Sequence, residues 1–186
     1  MEAVFIAAGL VFVAELGDKS QLLAMTFATR YRARTVIIGM GVACALINLA
    51  SALVGDALGR FLPQDVIRIL AGLVFLLFAA ITAWSVWRTE PEEEIEVVPH
   101  SGGALLAVGS AFALAELGDK TMFTTMTLST QYPWYWIWVG STLGMSVSIV
   151  LAVIVGKQVL KVVPVRWVHA IAALLFAALG VAILLG

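Results

Sequence analysis

Between Ala14 and Tyr31 the chain carries a segment that returns 101 residues later, with ten of eighteen positions identical. The register holds without a gap through Gly39/Gly140, Gly55/Gly156, Pro63/Pro164 and Phe75/Phe176, so the chain reads as one unit used twice. At the centre of each copy stands a charged string inside an apolar run: Glu15-Leu16-Gly17-Asp18-Lys19-Ser20 and Glu116-Leu117-Gly118-Asp119-Lys120-Thr121. A charge in the middle of a membrane segment costs roughly 2.5–3.5 kcal/mol on insertion scales, so it is seldom kept without a use.

Composition identifies the solvent of those apolar runs. Of 186 residues 62% are hydrophobic and only 12% charged, with mean hydropathy +1.03, against about 25% charged in a soluble domain. The chain reads as an all-α integral membrane protein, with no length left for a soluble catalytic domain. A net charge of −1 and no basic patch argue against a nucleic-acid partner. Cys44 is alone and forms no internal disulfide or cysteine-based metal cluster. The start lacks a positive n-region and an A-x-A-like cleavage site, so the first segment reads as a retained helix.

A span needs about 20 apolar residues, and six runs qualify: 3–28, 35–59, 65–87, 103–128, 134–158 and 166–185. Residues 1–88 form the first three-helix repeat and 103–186 the second. The 89–102 linker between them is acidic, with Glu90, Glu92, Glu93, Glu94 and Glu96, and reads as solvated. An odd number of spans per repeat makes the second enter the membrane from the opposite side. This is the inverted-repeat architecture of many secondary transporters, with the site at the repeat interface. Arg30, Arg32, Arg34, Arg88, Lys157, Lys161 and Arg166 lie on one side of the bilayer, and Arg60 and Arg68 on the other. The positive-inside rule places the first side, with the acidic linker, in the cytoplasm and both termini outside. Trp84, Trp87, Trp134, Trp136, Trp138 and Trp167 fall at segment ends, where aromatic belts sit.

On a continuous helix Glu15 and Asp18, three apart, share one face with Leu22 and Met25; Glu116, Asp119, Phe123 and Met126 form the matching face. Inverted symmetry would then assemble four carboxylates at mid-membrane. Oxygen ligands suit a hard divalent cation, Mn²⁺ or Ca²⁺. Zinc and copper fit less well, because neither cysteine nor histidine accompanies the motifs; His100 sits in the linker and His169 near a segment start. Crowded acids in a low dielectric hold protons that a divalent cation can displace. One set of acids, exposed alternately to each side, would therefore exchange cation for protons. The competing reading makes each acid–lysine string a structural ion pair between helices.

Lys19 and Lys120 lie about 100° round such a helix from the neighbouring aspartates, where they would pair across helices or tune the site. Gly17 and Gly118 read first as close-packing positions and second as points of local unwinding. Ser20 and Thr121 could donate ligands or cap such a break, against plain back-bonding to the helix. Asn48, with Ser51, Ser141, Thr142, Ser146 and Ser148, reads as interhelical glue, Asn48 being the one to test as a ligand. Met25 and Met126 read as packing, with a gating role in second place. Gln21 has Met122 as its counterpart, so the halves are not equivalent.

Two copies of E-x-G-D-[KR]-[ST], each in the first helix of a three-helix repeat and joined by an acidic loop, resemble the Ca²⁺/Mn²⁺:H⁺ antiporter family. That family includes bacterial manganese exporters and Golgi and chloroplast manganese transporters, and is related to the lysine-exporter superfamily. The resemblance spans essentially the whole chain. It implies a cation site of Glu15, Asp18, Glu116 and Asp119, with Lys19, Ser20, Lys120 and Thr121 completing the motifs. It also implies a multi-pass protein of the cell inner membrane that exports Mn²⁺ against proton entry. No enzyme activity or resident cofactor is implied, and a homodimer is left open. The alternatives are an exporter of amino acids or other small solutes on the same scaffold, and a non-transporting membrane subunit. An intramembrane enzyme is disfavoured, since no nucleophile–base pair or H-E-x-x-H string is present.

Overall fold

The computed structural model describes residues 2–87, 103–162 and 165–185, without the side chains of 85–87, 155–162, 165, 166 and 168. The acidic linker with its glutamates, and the side chains of Arg88, His100, Lys157, Lys161 and Arg166, lie outside the described residues.

Eight helices and no strand make up the described residues. They are α1 (Glu2–Glu15), α2 (Lys19–Arg30), α3 (Ala33–Phe61), α4 (Gln64–Trp87), α5 (Ala104–Glu116), α6 (Lys120–Ser129), α7 (Trp134–Val162) and α8 (Val165–Leu185). The expected spans 35–59, 65–87, 134–158 and 166–185 each appear as one helix, α3, α4, α7 and α8. Among the described residues, three stretches are long and apolar enough to cross a membrane, Ala33–Phe61, Gln64–Trp84 and Trp134–Ile154; Ala104–Glu116 and His169–Leu185 are shorter apolar helices.

The other two expected spans are not continuous. Residues 3–28 divide into α1 and α2, and 103–128 into α5 and α6. With 14 and 12 residues, α1 and α2 reach only about 21 and 18 Å at ~1.5 Å per residue, short of a ~30 Å hydrocarbon layer. Each segment therefore has a break at mid-length, and the charged string lies on it.

Polarity is arranged as in a membrane solvent. Phe5, Leu46, Leu106, Ile154 and Leu174 point outward and are exposed, whereas Glu15, Gln21, Asn48, Ser51, Thr121, Thr124, Thr125, Ser141 and Ser148 are buried. In water this distribution would be costly; in lipid, outward apolar side chains lose nothing and inward polar groups find partners.

Helices cross-pack between the two ends of the chain. α1 lies on α7, α5 on α3, α2 on α7, α6 on α3, and α4 on α8. Glycines permit the close approaches. A Cβ on Gly39 would meet the Leu105 carbonyl at 3.1 Å and Val108, and one on Gly140 would meet the Val4 carbonyl at 2.5 Å and Ala7. Each atom pair in the first contact is displaced by 101 residues in the second. Phe75 and Phe176, also 101 apart, stack on each other with centroids 6.0 Å apart and an interplanar angle of 26°.

Candidate metal centre

The break in the first motif follows from Gly17. Its φ of 76° lies in the left-handed region, where a side chain is strained and glycine is not. α1 stops at Glu15, whose carbonyl accepts the Asp18 N–H at 3.3 Å, and α2 begins at Lys19. Asp18 is the N-cap of α2, and its Oδ1 accepts the Lys19 N–H at 2.8 Å. A carboxylate there satisfies an orphan donor and complements the positive end of the helix dipole. The second motif repeats the device: Gly118 has φ 83°, Glu116 ends α5, and Asp119 is the N-cap of α6. The packing role preferred for Gly17 and Gly118 is thus corrected to unwinding, and the shared helical faces Glu15–Asp18–Leu22–Met25 and Glu116–Asp119–Phe123–Met126 do not exist. Instead, in each motif the glutamate closes one helix and the aspartate opens the next.

Hydrogen bonds brace each break. Ser20 donates to Glu15 Oε2, and Thr121 donates to Glu116 Oε2 at 3.1 Å. Back-bonding of these hydroxyls to the helix is therefore replaced by a bond to the glutamate of the same motif. The Gly17 N–H donates to Gln21 Oε1 at 2.9 Å, and Gln21 Nε2 donates to Ser148 Oγ of α7 at 2.9 Å. In the second motif the Gly118 N–H meets Met122 Sδ at 3.4 Å. Gln21 and Met122 thus occupy one role, and the Gln21 side also ties the break to the opposite half of the chain.

Packing brings the two breaks together. Carboxylate oxygens of Glu15, Asp18 and Asp119 lie within 4.8 Å of one another. Glu15 is 1% exposed, and its Oε1 is buried without a hydrogen-bond partner. Glu116 stands outside that group of three but is buried within electrostatic reach of Glu15, Asp119 and Asp18. Lys120 forms an ion pair with Asp18 of the other motif, both side chains being mostly buried. Lys19 has an exposed side chain. All these groups come from one chain.

The supporting residues divide. Asn48 does not join the acids: its Nδ2 donates to Cys44 Sγ at 3.3 Å, and its Oδ1 accepts the Thr125 hydroxyl at 3.1 Å. Thr125 Oγ1 also lies 3.0 Å from Ser141 Oγ. Because a hydroxyl has one proton, Thr125 gives it to Asn48 and accepts from Ser141. Met25 packs against the apolar core, and the Met126 carbonyl faces Gly55 of α3.

Two residues set apart from the motifs on sequence grounds are in fact their neighbours. Cys44 on α3 lies within electrostatic reach of both Glu15 and Glu116. His169 on α8 hydrogen-bonds the Gly17 backbone and faces Lys120 and Asp18. Both therefore stand beside the motifs in space, although neither belongs to the group of converging ligand atoms. Cys44 could have been found from the buried run Cys44, Asn48, Ser51 along α3; His169 carries no local signal.

Comparison with known proteins shows the family. The family model "Divalent cation/proton antiporter GDT1" matches residues 3–90 and 104–186. A Vibrio cholerae protein named "Putative manganese exporter" is 33% identical over 186 residues, covering 98% of this chain and 90% of its own. A GDT1-like protein of Synechocystis is 29% identical over 184 residues, covering 90% of this chain and 89% of its own. The chloroplastic protein PAM71 of Arabidopsis thaliana is 29% identical over 202 residues, covering 93% of this chain and 55% of its own. No solved structure matches. A membrane-protein composition, two broken helices that meet through their acids, and a family match over nearly the whole length lead to one assignment: the chain belongs to the GDT1 family of divalent cation/proton antiporters and is a transporter, not an enzyme.

Proposed function

We propose that the protein exports Mn²⁺ from the cytoplasm in exchange for protons, and that Glu15, Asp18, Glu116 and Asp119 bind cation and protons in turn. The observation that carries this is the convergence of Glu15, Asp18 and Asp119 oxygens within 4.8 Å. An all-oxygen set favours a hard cation such as Mn²⁺ or Ca²⁺. The name of the Vibrio cholerae relative supports manganese. The unpartnered Glu15 Oε1 is a lone pair for a ligand or a proton, since a buried oxygen left without one is costly.

The architecture we read is two inverted three-helix repeats, 1–88 and 103–186, joined by a cytoplasmic linker at 89–102. It is supported by the 101-residue register, by the paired contacts of Gly39 and Gly140, and by the Phe75–Phe176 stack. The charge bias across the bilayer supports an orientation with both termini outside the inner membrane. Alternating access then exposes one acid cluster first to one side and then to the other.

Proteoliposomes test this reading. An inward-directed proton gradient should drive Mn²⁺ movement in the opposite direction, and Asp18→Asn should abolish it. A folded Asp18→Asn variant with unchanged exchange would end the shared-site reading.

A further inference from the structure

Lys120 opens α6, yet its ammonium sits on Asp18 Oδ2 at the start of α2, in the other copy of the repeat. Asp18 is also one of the three acids whose oxygens converge. A divalent cation held by those oxygens would stand within a few ångströms of the ammonium. Like charges that close in a poorly solvated site repel strongly. Cation and lysine therefore compete for one carboxylate.

We propose that Lys120 is a tethered counter-cation of the site: its ammonium and the divalent cation occupy Asp18 in alternation. The inference rests on the carboxylate site of the preceding section and adds a role for the lysine. It explains why a positive residue is placed where the cargo is positive. Without it, protons alone would compensate the charge of Glu15, Asp18, Glu116 and Asp119 whenever the cation leaves. The ion pair also joins the N-terminus of α2 to that of α6. Its rupture on cation binding removes a link between the two broken segments, and its return restores the link. Occupancy is thereby coupled to how the breaks are held together. Ser20 and Thr121 are already engaged with Glu15 and Glu116, so neither hydroxyl competes for Asp18.

The test is Mn²⁺ binding to the full chain in lipid nanodiscs, by calorimetry, alongside exchange in proteoliposomes. Lys120→Met should bind Mn²⁺ tighter than wild type, by roughly 5- to 100-fold, while its proton-coupled exchange slows. Lys120→Arg should shift affinity the other way, because a guanidinium can hold a carboxylate through two bonds. A merely structural lysine would give weaker or unchanged binding in Lys120→Met, and either result overturns the proposal. If Lys120→Met does not fold, Lys120→Arg decides: binding equal to or tighter than wild type overturns it. Asp18→Asn separates the two readings. Loss of Mn²⁺ binding there, without tightening in Lys120→Met, removes the lysine proposal and leaves the carboxylate site standing. Undiminished binding in Asp18→Asn removes the site itself.

Discussion

Gln21 bridges Gly17 and Ser148: one end of its amide accepts the glycine N–H and the other donates to the serine hydroxyl, both at 2.9 Å. The side chain is buried, so removing it strands a donor at the helix break and leaves Ser148 without this partner. Gln21→Ala should destabilise the protein by about 1–3 kcal/mol, the usual penalty for buried polar groups left unpaired. Gln21→Met copies the arrangement at Gly118, where Met122 Sδ faces the amide. It should cost less than Gln21→Ala, and thermal unfolding in detergent reads the difference.

Gly118 offers a clean measure of the backbone's contribution. A Cβ there would meet nothing within 4 Å, so any cost of Gly118→Ala comes from its φ of 83°. That cost should be about 1–2 kcal/mol, with Gly118→Asn milder because asparagine tolerates the left-handed region. Exchange should fall further in Gly118→Val than stability alone explains, since a re-formed helix would move Glu116 relative to Asp119. Paired stability and flux measurements check this.

The buried Asn48–Thr125 bond ties α3 to α6. Thr125→Val keeps the shape and strands Asn48 Oδ1, at a cost of about 1–3 kcal/mol. Asn48→Leu should be comparable, and the double variant should cost less than the sum, because the two residues share one interaction. A double-mutant cycle on chemical unfolding gives the coupling.

Cation binding should stabilise the fold. At Mn²⁺ a hundredfold above Kd the gain is about 2.7 kcal/mol, visible as a rise in Tm that Glu15→Gln removes. Protons and Mn²⁺ seek the same oxygens, so lowering pH should raise Kd and shrink the Tm shift. A shift that grows as pH falls would contradict competition.

Much of this molecule is legible from residue order. The hydropathy runs locate α3, α4, α7 and α8, and the charged strings mark where the acids meet. The 101-residue register anticipates that Gly39 and Gly140 make matching contacts. What periodicity misjudged is the continuity of the motif segments. Glu15 and Asp18 are three apart, a spacing that keeps two side chains neighbours on an unbroken helix and across a one-turn break alike, so it cannot tell these apart. The left-handed glycine decides, and glycine in a membrane helix serves packing as readily as unwinding.

Sequence alone therefore determined the solvent, the helical class and the two charged strings, because these depend on composition and on order along one chain; of the four acids the strings name, three converge. Tertiary structure decided the rest: that Lys120 pairs with Asp18, that Cys44 and His169 stand beside the motifs, and that Asn48 serves Thr125 instead of the acids. Each of these joins residues distant in the chain. Their proximity is set by which helices pack together, and no local spacing encodes that.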